Sequence, residues 1–543
     1  MENHLSNPYL PTGISGLDSI LYGGLLEGNV ILLEGLPGTG KTTIGMEFLY
    51  RGATQFNECG LIVSFEMSRS KIIRDAAGLG WDFERLEKEG KLKIVILTPE
   101  VLAEELGNPD GTLFREIRTT NAKRVFVDGL LPLKHYYSNT KSISFREALH
   151  SLITKLHALK VTALFTTEIL SASPLGESGT NHEQYLCDTI ITLRNQAQRR
   201  SVHRSIEISK SRGQAYIGGR HSLKIEPGVG VQVYPRIYAR PNVSAIQPTS
   251  NTRSTVGIPV LDSMLGGGIY DGSVTLMVGI SGTGKTVAGM QFLMEGIKLG
   301  KKALLVTLDE HTDQILRNAT SLGIDLQAAR DKGDLIVLFD SPLELDIDEH
   351  FYRIQEIVEK NNIERVVIDS LAAYESSQLE ESYDFTIALA AYFKQNLIAA
   401  MFNFECPELL GVSQISDKLK ASAIVDNIVL LNYVEISTLL RRAITVPKAR
   451  GSKPDQRTRE YVIQQGGICL LEDKSVDDIA QVPQLPFSAY YGVLARSPTR
   501  KSPIIEETLA SGKNLPHSRI PKPGAKIKPK TRASKEKSIR ARN

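Results

Sequence analysis

Two kinds of hydrophobic pattern alternate along this chain. Short apolar, largely β-branched runs, among them NVILLEG at 29–35, LIVSFE at 61–66, RVFVDG at 124–129 and VTALFTTE at 161–168, are separated by longer stretches of helical character such as TTIGMEFLYRG at 42–52. Strands that continuously apolar need cover on both faces, and in alternation with helices they predict a parallel sheet between helical layers. The pattern then recurs. Laying Gly13–Gly52 over Gly257–Gly296 gives matches at one constant offset of 244 residues, and the segment LIVSFEMSRSKIIRDAAGLGWD pairs with LLVTLDEHTDQILRNATSLGID further on. A period of half the chain means that a whole domain was duplicated. The stretch YARPNVSAIQPTSNTRST between the copies has the composition of a linker. The expected organisation is a first domain at 1–236, a linker at 237–252, a second domain at 253–495 and a tail at 496–543.

Composition supports two full cores, since the chain has 543 residues of which 41% are hydrophobic. The four cysteines, Cys59, Cys187, Cys406 and Cys469, have no metal-ligand or disulfide-framework spacing and read as free thiols of a reducing compartment. No basic region followed by an apolar run opens the sequence, and no segment reaches the roughly 18 uninterrupted apolar residues of a membrane span. A cytoplasmic protein without membrane contact is therefore expected. The net charge of +3 conceals an asymmetry, because residues 496–543 carry 14 Lys or Arg against three acids and leave the other 495 residues at −8. A basic tail so poor in apolar residues is expected to be disordered, either as a solvated segment or as an arm for an anionic partner.

The chemistry is concentrated in the repeated octapeptides GLPGTGKT at 35–42 and GISGTGKT at 279–286. Each follows an apolar strand and opens a helix, the context that a phosphate-binding loop requires. Its glycines let backbone N–H groups converge on phosphate oxygens at a helix N-terminus. Candidate ATP contacts are Gly38, Thr39, Gly40, Lys41, Thr42 and Thr43 in the first copy, and Gly282, Thr283, Gly284, Lys285, Thr286 and Val287 in the second. Lys41 and Lys285 would neutralise the outer phosphates, while Thr42 and Thr286 would offer hydroxyls to Mg2+. Asp128 and Asp369 end apolar strands where a second metal-binding acid belongs. The next strand in each copy is read as ending in SFEM and TLDE, and matching GWD with GID places Glu66 opposite Asp309 and Met67 opposite Glu310. Neighbouring strand residues face opposite ways, so one member of the pair would orient water and the other support Mg2+ or the backbone. Asp309 is accordingly a candidate for both roles.

With two phosphate loops, strand-end carboxylates and the segments ISKSRG at 208–213 and VPKARG at 446–451, the chain resembles the KaiC family of RecA-like ATPases over roughly residues 8–500. The resemblance implies two tandem RecA-like P-loop NTPase domains, each a mainly parallel α/β sheet flanked by helices, followed by the disordered basic tail. It implies a homohexameric ring with ATP at the subunit interfaces. Lys210 and Arg212, with Lys448 and Arg450, would then reach the neighbouring subunit's ATP as catalytic fingers, and Arg204, Arg442 and Ser452 would belong to the nucleotide contacts. The second domain would carry autokinase activity, with Glu310 as base and Ser422 as phosphoacceptor by the register of Asp426, while Ala423 replaces the usual threonine. Met67 in place of the second glutamate would slow water activation in the first domain. Response-regulator or histidine-kinase-type partners follow from the resemblance alone.

Two other readings compete with this one. A DNA-acting recombinase or helicase motor shares the core, but the domains are net acidic and lack a four-cysteine zinc module or aromatics grouped near basic loops. A scaffold that clamps ATP without turnover fits Met67 but not the Asp309–Glu310 pair.

Overall fold

The computed structural model describes residues 9–106, 111–139, 144–169, 182–198, 201–237, 248–342, 345–377, 379–405, 424–436 and 439–471. Most of the expected linker, the candidate acceptor Ser422 with Ala423, and the tail lie outside the described residues. The first half opens with a ribbon of β1 (Tyr9–Leu10) and β2 (Leu25–Leu26). Nine strands follow: β3 (Val30–Gly35), β4 (Gly60–Ser64), β5 (Leu92–Ile96), β6 (Arg124–Asp128), β7 (Thr162–Glu168), β8 (Thr189–Gln198), β9 (Ser201–Ser211), β10 (Arg220–Glu226) and β11 (Gly230–Tyr234). They form one sheet in the order β11-β10-β9-β8-β3-β7-β6-β4-β5. The six strands from β8 to β5 run parallel, and β9, β10 and β11 extend one edge in antiparallel fashion.

The second half repeats this architecture. A ribbon of β12 (Arg253–Ser254) and β13 (Ile269–Tyr270) precedes β14 (Val274–Gly279), β15 (Lys302–Thr307), β16 (Leu335–Phe339), β17 (Ile363–Asp369), β18 (Ala399–Glu405), β19 (Asn427–Ile436), β20 (Leu439–Ala449), β21 (Arg459–Gln464) and β22 (Gly467–Leu470). The sheet order β16-β15-β17-β18-β14-β19-β20-β21-β22 is that of the first half, strand for strand. The chain thus consists of two α/β halves of one topology, the mainly parallel sheets that the alternating pattern predicts, in the tandem RecA-like arrangement that the resemblance implies.

The apolar runs are central strands because both of their faces are covered. All of β3 is buried, with Val30 and Leu32 packed against Leu61, Val125 and Ala163 on one face, and Ile31 and Leu33 against Ile62, Phe126 and Leu164 on the other. Each such side chain contributes about 1.5–3 kcal/mol by leaving water. Arg124 and Arg365, at equivalent positions in β6 and β17, are fully buried. Arg124 pairs with Glu58 at 2.6 Å, donates to the carbonyls of Pro11, Thr12 and Phe48, and lies 4.7 Å from the Phe48 ring centre. Arg365 is stacked equally close, 4.7 Å, over Phe292. Room for each guanidinium comes from a helical glycine. A Cβ on Gly52 would stand 2.5 Å from Arg124 Cδ, and one on Gly296 would stand 2.3 Å from Arg365 Cδ.

The antiparallel extension of the first sheet meets the second half through side chains of β10. Lys224 on β10 pairs with Glu349 at 2.5 Å, while Asp348 accepts from Ser222 Oγ and Ile237 N at 3.2 Å each. Both acids lie in the first turn of the helix Ile347–Asn361. No helix of the described residues is long and apolar enough to cross a membrane.

One divergence between the halves is electrostatic. Glu47, on the helix Lys41–Gln55, is fully buried, pairs with Arg51 at 2.8 Å and accepts from Val231 N at 2.6 Å. Gln291 makes the matching contact in the second half, accepting from Ile468 N at 2.7 Å. Burial raises the Glu47 pKa, against the Val231 N–H and Arg51, which lower it.

Two predictions follow from this packing. Gly296→Ala should destabilise the second half by about 1–3 kcal/mol through overpacking against Arg365. Gly78→Ala, where an added Cβ meets nothing within 4 Å, should not; urea unfolding midpoints compare the two. Because the folded-state pKa of Glu47 is raised, its contribution to stability is full below the unfolded value of 4.5 and is lost as pH rises through the folded value. Glu47→Gln should therefore flatten that part of the stability–pH curve, measured by urea unfolding from acid to neutral pH.

Candidate functional site

Both phosphate loops sit at the carboxyl ends of central parallel strands, where open α/β sheets bind ligands. Gly35 ends β3 opposite Glu168 of β7 and Leu193 of β8; Gly279 ends β14 opposite Glu405 of β18 and Leu431 of β19. Gly40 caps the following helix at φ 102° and Gly284 does so at φ 96°, conformations that side chains disfavour. A Cβ at Gly40 would also meet Ile225 Cδ1 at 2.5 Å, and one at Gly284 would meet Ile463 Cδ1 at 2.7 Å. Lys41 Nζ donates to the carbonyls of Gly35 and Leu36 at 2.9 Å each, and Lys285 Nζ donates likewise to Gly279 and Ile280. Thr39 and Thr283 tie each loop internally, each by a 2.8 Å bond to Leu36 or Ile280 carbonyl. Burial lowers the Lys41 pKa, and the charges of Glu168 and Asp128 oppose the shift.

The metal-type oxygens converge as the motif requires. Thr42 Oγ1 lies 3.1 Å from Asp128 Oδ1, and Thr166 Oγ1 donates to the same oxygen at 3.0 Å. In the second half Thr286 and Asn403 lie beside Asp369 as hydrogen-bonding groups that lower its pKa, while Asn403 Nδ2 and Oδ1 have no partner in hydrogen-bonding geometry. Burial raises the pKa of both aspartates, against these neighbours. A hydroxyl and a carboxylate at a helix N-terminus are the hard oxygen donors that suit Mg2+, so the residues fit an ATP–Mg2+ pair. The first site opens into a cavity of about 840 Å3, lined among others by Gly38, Lys41, Thr43, Glu66, Asp128 and Arg204. That volume is ample for a nucleotide.

The carboxylate pair differs from its sequence expectation in one respect. β4 ends at Ser64 and β15 at Thr307, so Glu66–Met67 and Asp309–Glu310 lie in bends beyond the strands. Strand alternation does not apply to them; the turn decides which way each points. Ser64 is paired with Asp128 and Thr307 with Asp369. Ser64 Oγ accepts from Met67 N at 3.0 Å, and Thr307 Oγ1 accepts from Glu310 N at 3.4 Å, so Met67 and Glu310 are true counterparts. Glu66 is exposed and Met67 is half-buried against the core, and both line the cavity. Asp309 is exposed and accepts from Ser370 Oγ at 3.0 Å. Glu310 is half-buried and accepts from Asn318 Nδ2 at 3.2 Å. Burial raises its pKa, aided by Asp369 and Asp309 and opposed by Asn318.

The late cations separate into two groups along single strands. Arg204 on β9 lines the cavity beside its own phosphate loop, and Arg442 on β20 donates to the Gly282 carbonyl at 3.3 Å, 5.5 Å from the Tyr433 ring centre. Lys210 and Lys448 lie six residues further along the same strands, roughly 20 Å away at a strand's rise. Lys210 Nζ donates to the carbonyls of Gln184 and Cys187, and Lys448 Nζ to that of Val425. Arg212 and Arg450 face Asp188 at 4.0 Å and Asp426 at 3.5 Å. Ser452, just beyond, accepts from Arg253 Nη2 at 2.6 Å. Lys210, Arg212, Lys448 and Arg450 thus sit at the end of the sheet away from their own loops. Sequence reading missed Thr166, Asn403, Glu168 and Lys71, of which Thr166, Glu168 and Lys71 line the first cavity. The recurrence of FTTE and FNFE at the ends of β7 and β18 was the available signal for the glutamate.

A family model described as "ATPase: KaiC" matches residues 10–238 and 254–475. A "Circadian clock oscillator protein KaiC" from Picosynechococcus sp. is 34% identical over 497 residues, covering 90% of this chain and 92% of the relative. The protein of the same description from Prochlorococcus marinus is 34% identical over 474 residues, covering 86% and 93%. A "Circadian clock oscillator protein KaiC 1" from Synechocystis sp. is 32% identical over 499 residues, covering 90% and 92%.

If the two loops are independent nucleotide sites, Lys41→Ala and Lys285→Ala should each weaken one of two sites per chain. Loss of a charged hydrogen-bonding partner corresponds to about 1.5–3 kcal/mol, roughly 10- to 150-fold in Kd. Titration with a fluorescent ATP analogue counts the tight sites that remain.

Proposed function

The chain belongs to the KaiC family of ATPases, and from that premise we propose that it is a ring-forming double ATPase whose second domain also phosphorylates its own Ser422. The observation that carries this reading is Glu310, half-buried beside Asp369 at the backbone position where the first half has Met67, a thioether that cannot take a proton from a hydroxyl. A carboxylate whose pKa is raised by burial suits a base that accepts a proton from a hydroxyl. In the second domain Lys285 and the loop N–H groups would hold the phosphates, and Thr286 with Asp369 and Asp309 would hold Mg2+. The Ser422 oxygen would bond to the γ-phosphorus as the bond to the β–γ bridging oxygen breaks, its proton passing to Glu310 and ADP leaving.

The first domain, with Thr42 and Asp128 as its metal-binding pair, would retain only Glu66 at the water and turn over slowly. Domain boundaries at 236 and 253, a homohexamer, and nucleotides completed by the neighbour's Lys210 and Arg212 or Lys448 and Arg450 belong to the same reading. The cations' placement roughly a strand's length from their own loops supports action in trans. A signalling or timing role through response-regulator or histidine-kinase-type partners, an anionic ligand for the tail and a cytoplasmic location complete it. The family match favours this reading over a DNA-acting motor.

Intact-mass and phosphopeptide analysis after incubation with Mg-ATP tests the kinase half. Phosphate on Ser422 that is lost in both Ser422→Ala and Glu310→Gln is the expected result. ATP consumption without any phosphate on the chain would leave a double ATPase with a purely conformational output.

A further inference from the structure

A buried glutamate in the first domain is left unexplained by this reading. Glu34 immediately precedes Gly35, the first residue of the phosphate loop, and is 6% exposed. Both of its carboxylate oxygens are engaged: Oε2 accepts from Gln184 Nε2 at 2.7 Å, and Oε1 accepts from Thr192 Oγ1 at 2.9 Å. Thr192 Oγ1 in turn lies 2.8 Å from Ser209 Oγ, next in sequence to Lys210. Gln184 continues the chain of contacts, because its carbonyl accepts from Lys210 Nζ at 2.8 Å. The neighbouring Tyr185 carbonyl accepts from Arg212 Nη2 at 2.7 Å. One residue of the short helix His182–Leu186 therefore joins the phosphate-loop strand to the segment that holds both cations.

The second half supplies an internal control. Glu34 is opposite Thr192 as Val278 is opposite Leu430, and Pro447 stands at the place of Ser209. Val278 and Leu430 are both buried. The sheet is thus built equally well with apolar side chains at these positions. Burying a carboxylate costs several kcal/mol in desolvation even when hydrogen bonds offset part of it. Packing alone would not place a glutamate there, but orienting polar groups beyond it would. Asp188 and Asp426, which accept from Val30 N and Val274 N at 3.0 Å each, give the register of the adjoining segment. By that register Gln184, four residues before Asp188, corresponds to Ser422, four residues before Asp426. Where the second domain keeps its candidate acceptor, the first carries the bridging glutamine.

We propose that Glu34 and Gln184 are positioning residues that hold Lys210 and Arg212 in the orientation needed to act on the neighbouring subunit's nucleotide. The inference rests on the reading that these cations act in trans. It adds that each subunit's phosphate-loop strand sets the cations it offers to the next, which couples successive first-domain sites around the ring.

Mixed rings of full-length chains, all carrying Lys285→Ala to silence the second site, separate the two ideas. Donor subunits carry Lys41→Ala and keep their cations; acceptor subunits carry Lys210→Ala and Arg212→Ala and keep their loop. Each is expected to be inactive alone, and the mixture active. If the mixture stays inactive while native mass spectrometry finds mixed rings, the trans reading itself fails. If it is active, Glu34→Val added to the donor should lower kcat roughly 10- to 100-fold, the cost of misplacing a catalytic group by about 1 Å, with KM for ATP little changed. Gln184→Ala in the donor, which leaves β3 untouched, should act in the same direction and serves if Glu34→Val does not assemble. Glu34→Gln, which still accepts from Gln184, should restore most of the rate. Unchanged kcat with the donor variants, or equal losses when Glu34→Val is carried by the acceptor instead, overturns the positioning role.

Discussion

The structure depends on burying one parallel strand on both faces and both edges and ending it in glycine. β3 and β14 lie between parallel neighbours, so the chain leaves each of them at a point already flanked by two other strand ends. A strand so enclosed has nowhere to go but into a tight loop and the helix above it, and that loop's N–H groups and its lysine are thereby aimed at one spot. The acids follow from the same constraint, since Asp128 and Asp369 end strands two places away in the same sheet and meet Thr42 and Thr286 across it. Burial of these carboxylates is costly, and the two hydroxyl donors on Asp128 offset part of that cost.

Duplication gives every such feature a counterpart, and the differences are informative because the surroundings are held constant. Glu47 and Gln291 make the same backbone contact with and without charge. Met67 and Glu310 share a turn and a degree of burial, yet one is a thioether and the other a carboxylate. Glu34 and Val278 share a strand position, yet one is wired to cations and the other is simply packed. The two halves have kept one frame and separated their chemistry at a few side chains. The helix Ile347–Asn361 keeps the halves in contact through Asp348 and Glu349, which bond Ser222, Lys224 and the Ile237 N–H.

A strand also serves as a ruler. β9 and β20 each carry one arginine to the phosphate loop and one lysine to the opposite end of the sheet, a separation that no side chain can bridge within one subunit. In the proposed function, that separation is what the neighbouring subunit of a ring would span.

Much of this was legible in the sequence, for a physical reason. Phosphate loops, strand-end aspartates and the 244-residue repeat are local: each is a run of neighbouring residues whose periodicity and glycine content dictate a strand, a turn or a helix start. Sheet class followed from the same runs, because a continuously apolar strand must be covered twice. What escaped were facts about side-chain ends that meet across distant segments. SFEM and TLDE read as strand residues, but the strands stop at Ser64 and Thr307 and the turn, not the pleat, directs the carboxylates. Thr166 and Asn403 reach the metal-type aspartates from strands remote in sequence, and nothing in FTTE or FNFE announces that contact. The pairing of Glu34 with Gln184, 150 residues away, exists only because β8 lies beside β3. Sequence alone determined the elements and the loops that end them, since these are set by local backbone preference and periodic burial. Tertiary structure alone decided which side chains share a hydrogen bond, because that depends on strand order and register, which arise only when distant segments pack.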